Sequence, residues 1–211
     1  MMTQENYKPV IVLDVGKVLV DINPNVVLEE LSKRCGREIG PSYPFDLDKL
    51  FSSLYAGRQR LGEILQIVNE TLGISLTPEE WQELWCHIII GEVPGMRKVL
   101  AELRTEYRLV ALSNTEEVHW KFILEKYSIF KLLDGWIVSY EQGVQKPDPA
   151  IYRVVMNQFC NSMLPFFYTD DIPEYVEAAQ HLGWQAEIFI DAAHFKEDVK
   201  RYGANYLKNP A

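Results

Sequence analysis

Cysteine is scarce in this chain: Cys35, Cys86 and Cys160 are the only three among 211 residues. They lie far apart, form no C-x-x-C pair and are odd in number, so neither a disulfide framework nor a cysteine zinc site organises the fold. They read as reduced, mostly buried thiols of a cytoplasmic protein. The histidines His87, His119, His181 and His194 have no metal-ligand spacing and read as structural. No stretch approaches the ~18 apolar residues of a membrane span. Residues 1–9 hold no apolar run with a cleavage site, so no membrane anchor or signal peptide is expected. Positive charge is short as well: 21 Lys and Arg stand against 30 Asp and Glu, a net charge of -9. Nucleic acid, whose phosphates need basic patches, is therefore not an expected partner. A small phosphorylated molecule is, because an acidic protein can carry a locally positive site. Nothing in the sequence sets the oligomeric state.

What is present is an ordinary globular composition, 47% hydrophobic and 24% charged. The length allows one domain with a large core, or a core with a small insertion. Val10-Ile11-Val12-Leu13 is a short continuous apolar run, the pattern of a strand buried on both faces. Asp14 follows, and Gly16 two residues later. A doubly buried strand does not tolerate an unpaired charge in its middle. Asp14 is therefore expected at the strand's carboxyl end, where open α/β sheets bind ligands; from this stretch alone, a simple turn cap explains it equally well.

After Asp21 the periodicity turns helical. Asn23-Pro24-Asn25 starts one helix, and apolar residues recur at three and four through residues 47–55 and 61–72. Residues 36–44 read as loop. Thr77-Pro78-Glu79-Glu80 is a capping box ahead of the apolar face of Trp81, Leu84, Trp85 and Ile88. No strand is expected between about residues 23 and 92. Beyond Pro94, strand patterns at 108–112, 136–139, 166–169 and 185–190 alternate with helical ones. The fold class that follows is α/β: a doubly wound, Rossmann-like parallel sheet with an inserted all-helical cap. The expected division is a core of residues 1–22 and 93–211 and a cap of residues 23–92.

Three strands end in chemistry: Asp14, then Ser113-Asn114-Thr115, then Asp170-Asp171, with Lys146 ahead of a helix between the last two. A parallel sheet places all these ends on one edge. Mg2+ takes oxygen ligands in octahedral geometry. A phosphoryl group in transfer needs donors and cations on its oxygens, and a carboxylate held in line can attack phosphorus.

In these residues the chain resembles the haloacid dehalogenase superfamily of hydrolases with a small helical cap. The resemblance covers nearly the whole length, with four motifs in the family's order: Asp14, Ser113-Asn114-Thr115, the stretch Lys146-Pro147-Asp148-Pro149-Ala150-Ile151-Tyr152, and Asp170-Asp171 followed by Val176-Glu177-Ala178-Ala179. The Lys146 stretch is most similar to the group of sugar-phosphate phosphatases and haloacid dehalogenases. The resemblance implies that Asp14 is nucleophile and Mg2+ ligand and that Gly16 gives its backbone carbonyl to the metal. It implies that Ser113 and the amide of Asn114 hold phosphate, that Lys146 neutralises nucleophile and phosphoryl oxygens, and that Asp170 and Asp171 complete the metal site. One position departs: family phosphatases carry a second aspartate where Gly16 stands, which protonates the leaving oxygen. The family's metal-free dehalogenases lack it too. The expected function is a Mg2+-dependent phosphatase of a small phosphorylated metabolite such as a sugar phosphate. The alternatives are a 2-haloacid dehalogenase and a non-catalytic phosphometabolite-binding relative.

Several residues have plainer readings. Ser113-Asn114-Thr115 is also a helix cap by pattern, and Asp148 before Pro149 is a cap and nothing more. Asp21 is a candidate replacement for the missing acid, though its position favours the hinge. The side chain of Lys17 is expected in solvent, and Arg58 is as readily a solvated charge as a substrate contact.

Overall fold

The computed structural model describes residues 8–40 and 47–206. The expected loop at 36–44 therefore lies partly outside the described residues. The run Val10–Leu13 forms β1, and all four of its residues are buried. It sits at the centre of a five-stranded sheet. Its neighbours are β4 (Arg108–Ser113) and β6 (Phe167–Asp170), with β5 (Gly135–Val138) and β7 (Ala186–Ile188) outside them. The order is β5-β4-β1-β6-β7 and every pairing is parallel. Leu13 pairs with Ala111 and Thr169, so β6 ends one residue and β4 two residues past the end of β1, and Asp14, Ser113 and Asp170 come to one edge.

Because β1 alternates its side chains, Ile11 and Leu13 pack on one face and Val10 and Val12 on the other. The first face is covered by α5 (Met96–Leu103), α6 (Glu117–Lys126) and α10 (Ala192–Tyr206), through Met96, Leu100, Trp120, Ile123 and Phe195. The second is covered by α8 (Pro149–Phe159) and α9 (Pro173–His181), through Ile151, Val155, Val176 and Ala179. This is the doubly wound sheet expected from the strand–helix alternation. Truncating a side chain as buried as Leu13 to alanine costs about 2–5 kcal/mol. A short helix α7 (Ser139–Gln142), which the sequence did not signal, follows β5.

Between β1 and β4 the chain builds a helical unit of α1 (Asn25–Cys35), α2 (Leu47–Tyr55), α3 (Leu61–Leu72) and α4 (Pro78–Cys86). These helices share their own apolar cluster around Leu31, Ile64, Val68, Trp81 and Trp85. The capping box is made as expected: the Glu80 amide donates to Thr77 Oγ1 at 3.2 Å and the Thr77 amide to Glu80 Oε2 at 2.9 Å.

One expectation fails. Residues 89–92 were read as strand-free, yet Ile89–Glu92 form β3, antiparallel to β2 (Val20–Ile22). Ile88-Ile89-Ile90 continues the apolar face of α4 on paper, but β-branched residues favour a strand once a partner is present. That partner, β2, lies on the far side of the whole helical unit, so no local pattern reveals it. The β2–β3 ribbon carries the chain into and out of the helices.

Candidate active site

β1 ends at Leu13, and the backbone amide of Asp14 still donates to Thr169 O at 3.0 Å. Asp14 is thereby held at the sheet edge, 6% exposed. The chain then turns tightly: Leu19 and Val20 both donate to Val15 O, and Lys17 adopts a left-handed φ of 56°. Such a φ is uncommon for a side chain other than glycine and is concentrated at functional turns.

Lys146 reaches this edge from the loop before α8. Its ammonium donates to Asp14 Oδ1 and to Asp170 Oδ2, both at 2.6 Å, and to Leu112 O at 3.2 Å. Its position is fixed by Asn114. The Lys146 amide donates to Asn114 Oδ1 at 2.8 Å, and Asn114 Nδ2 donates to Lys146 O at 2.9 Å. Asn114 was read for its backbone amide alone; its side chain anchors the lysine. Asp170 is fully buried, and both its oxygens are occupied: Oδ2 by Lys146 and the Tyr168 hydroxyl, Oδ1 by the Ile172 amide at 2.9 Å. Asp171 is more open and faces Lys17 Nζ at 3.6 Å.

The structure thus brings Asp14, Gly16, Ser113, Asn114, Lys146 and Asp171 around one cavity of about 550 Å³, with Asp170 immediately behind it. Oxygens of Asp14, Asp170 and Asp171 lie within 4.8 Å of one another. Burial first, then the charge of Asp170, pushes the Asp14 carboxyl up to about 7, while Lys146 pulls it back. Burial and Asp170 raise Asp171 too. Burial would lower Lys146, but Asp14 and Asp170 more than offset that and hold it protonated. The site is rich in negative charge beyond what its lysines balance.

Not every candidate arrives. Asp21 lies on β2, exposed, with Oδ1 accepting from the Ile22 amide at 2.9 Å, and Arg58 is exposed; neither lines the cavity. Lys17, expected in solvent, is paired with Asp171 although its side chain is 54% exposed. Asp148 caps α8 as read, accepting from the Ala150 amide at 2.8 Å. Thr115 is fastened by Ser139, whose hydroxyl accepts from its amide at 3.0 Å and donates to its carbonyl at 3.1 Å.

Sequence reasoning missed Tyr168 and Tyr175. Tyr168 precedes Asp170 by two, so strand alternation already placed both on one face. Tyr175 stands in the first turn of α9, its ring 5.0 Å from Lys146 Nζ and its hydroxyl accepting from Asn114 Nδ2 at 3.3 Å. The helical unit also closes on the site. Gln145 Nε2 donates to Ser52 Oγ of α2 at 2.8 Å. Gly57, with φ of 67°, packs so tightly that a Cβ there would sit 2.6 Å from Tyr140 O.

A model of the haloacid dehalogenase-like hydrolases matches residues 8–188. The fold is similar to that of a HAD family enzyme from Bacteroides thetaiotaomicron in complex with magnesium and inorganic phosphate. That match has 23% identity and a TM-score of 0.76, and covers 90% of this chain and 99% of that one. It is also similar to an L-2-haloacid dehalogenase from Xanthobacter autotrophicus with chloropropionic acid covalently bound, at 16% identity and a TM-score of 0.59, covering 85% and 76%. Among curated proteins, the drimenol cyclase drtB of Aspergillus calidoustus is 28% identical over 104 residues, 49% of this chain and 19% of that protein. The chain spans about a fifth of that relative's length. No helix among the described residues is long and apolar enough to cross a membrane.

Proposed function

The chain belongs to the haloacid dehalogenase-like hydrolase family, and from that premise we propose that it is a Mg2+-dependent phosphatase of a small phosphorylated metabolite. The observation that carries this reading is the gathering of Asp14, Asp170 and Asp171 oxygens within 4.8 Å of one another at the edge of a cavity. Like charges so placed repel, and Lys146 with the half-exposed Lys17 meets only part of that repulsion. The donor set is all oxygen and carboxylate-rich, which suits a hard divalent ion. Asp14, Asp171 and the Gly16 carbonyl would hold the ion directly, and Asp170, already saturated, would hold Lys146 in place. A bound Mg2+ supplies neutralisation of the phosphoryl oxygens. The magnesium and phosphate of the similar Bacteroides enzyme support the reading.

In this reading an oxygen of the Asp14 carboxylate attacks phosphorus, and the bond to the leaving oxygen breaks. An aspartyl-phosphate forms. Water then attacks that phosphorus, freeing phosphate and restoring Asp14. Lys146, donating to Oδ1 at 2.6 Å, keeps the carboxylate fixed and carries positive charge to the phosphoryl group. Ser113 and the Asn114 amide, at the end of β4, would bind phosphoryl oxygens. The helices α1–α4 serve as the cap that excludes bulk water.

A second reading, hydrolytic dehalogenation of a small 2-haloacid, is favoured by Gly16, since halide leaves without a proton. The acidic trio weighs against it, because a metal-free site gains nothing from that repulsion. One assay separates the two: phosphate release from a panel of phosphorylated metabolites, and halide release from chloroacetate, each with Mg2+ and with EDTA. Mg2+-dependent phosphate release is expected, together with a trapped acyl-phosphate on Asp14. Halide release that persists in EDTA would replace this reading with the second.

A further inference from the structure

Beside the polar cavity lies a second one of about 410 Å³. The two share Gly16, Ile22, Phe51, Tyr55, Ser113 and Asn114 as walls, so the second cavity adjoins the one that Asp14 lines. There the character changes. Its lining is carried by Ile22, Leu28, Phe51, Trp85 and Ile88. Phe51 packs on Trp85 with ring centroids 4.3 Å apart, and Trp85 stacks on His119 at 4.7 Å. Two titratable side chains, Tyr55 and His119, stand in that lining, and His119 is already engaged, its Nε2 lying 2.8 Å from Trp85 O.

We propose that this apolar chamber receives the leaving group, so that the substrate is a phosphate monoester of an apolar hydroxyl compound, aromatic or branched aliphatic, and not of a sugar. The inference rests on the phosphatase reading and deepens it. A sugar placed there would lose water from several hydroxyls and meet mostly carbon in return, which is strongly unfavourable. An apolar group gains from the same surroundings. The site as a whole is then amphiphilic: charged where phosphate binds, apolar where the leaving group lies.

The test is binding of two non-hydrolysable probes in the presence of Mg2+, cyclohexylmethylphosphonate and 2,3-dihydroxypropylphosphonate, by calorimetry. The expected result is roughly tenfold or tighter binding of the cyclohexyl probe, the scale on which apolar pockets discriminate. Leu28→Asn should erase most of that preference. Phe51→Ser, at a half-buried position, gives the same test should Leu28→Asn fail to fold. Equal affinities, a preference for the diol, or no binding of the cyclohexyl probe overturns the proposal. Turnover of cyclohexylmethyl phosphate and glycerol phosphate, whose leaving groups are both simple alkanols, is measured alongside. A binding preference without Mg2+-dependent hydrolysis of either ester or of nitrophenyl phosphate keeps the apolar chamber and defeats the phosphatase reading. Hydrolysis of both with no preference in binding does the reverse.

Discussion

Two buried polar clusters, one between α4 and α6 and one at the edge of the sheet, differ in how their charges are met. In the first, Glu116 is 3% exposed and its carboxylate is fully used. Oε1 accepts from the Trp85 indole at 3.0 Å and the His119 amide at 2.7 Å, and Oε2 accepts from the Val118 amide at 2.7 Å. It caps α6, where the helix dipole also favours an anion. In the second, three carboxylates share Lys146 and a half-exposed Lys17, and burial leaves Asp14 and Asp171 raised. The first cluster is complete as folded and joins α4 to α6. The second leaves Asp14 and Asp171 short of positive charge, a shortfall that a bound cation would meet. A buried charge with all its partners is evidence of architecture, and one without them is evidence of a site.

The sharpest way to break that contrast is to neutralise the second cluster. Asp14→Asn is expected to abolish turnover, because an amide is a poor in-line nucleophile, while leaving the melting temperature near or above that of the wild type, since one repelling charge is gone. A fall in stability like that of a core truncation would place Asp14 in the architectural class. Removing the ion comes next. EDTA should stop phosphate release, and Mg2+ should restore it and raise the melting temperature by mass action. Asp171→Ala should respond to neither, whereas Glu116→Gln should keep the full Mg2+ response.

The contrast sharpens further at Gly16. A well-placed general acid contributes ~10²–10⁴-fold, and no acid side chain stands at that position. The rate in the wild type is therefore expected to fall steeply as the leaving-group pKa rises. Gly16 is not among the glycines with a left-handed φ, and a Cβ there would meet Ile22 Cδ1 at 3.4 Å, an ordinary contact. Gly16→Asp should fold, and should accelerate alkyl phosphates far more than nitrophenyl phosphate. A flat leaving-group series in the wild type would mean that another group already supplies the proton.

The second cluster was the legible one. Asp14, Ser113, Lys146 and Asp170-Asp171 stand at strand ends or just before a helix start, and the sheet's parallel register turns those sequence positions into neighbours. The first cluster was not legible. Trp85 looked like core packing and His119 like a structural histidine, both fairly, but that Glu116 joins them depends on how α4 lies against α6. Asn114 was half-read for a similar reason: its side chain answers the backbone of Lys146, a partner distant in sequence. The strand β3 escaped because its pairing with β2 spans the helical unit. Patterns within one element were visible, and contacts between elements were visible only where the sheet dictated them.

The smallest effect tests whether the first cluster is as closed as its hydrogen bonds imply. His119 Nε2 lies 2.8 Å from a carbonyl oxygen, so it must carry the proton, leaving Nδ1 bare toward Glu116 Oε1 at 3.7 Å. Burial lowers the pKa of His119 below the ordinary value, with Glu116 and the bond to Trp85 O opposing that shift only in part. The unfolded chain, with a histidine near the ordinary ~6.5, then binds more protons than the folded one as the solution is acidified. The stability that His119 contributes is complete above that value and declines as pH falls through it toward the lower, folded pKa. Melting temperatures measured from about pH 8 to about pH 5 should drop more steeply for the wild type than for His119→Phe, which keeps a ring against Trp85 and cannot titrate. The variant should start lower at the alkaline end, having lost the bond to Trp85 O, by about 0.5–1.5 kcal/mol, and the two curves should converge in acid. Parallel curves would mean that His119 keeps its ordinary pKa in the folded protein, and that water or a moving helix reaches a cluster whose partners otherwise leave it no reason to open.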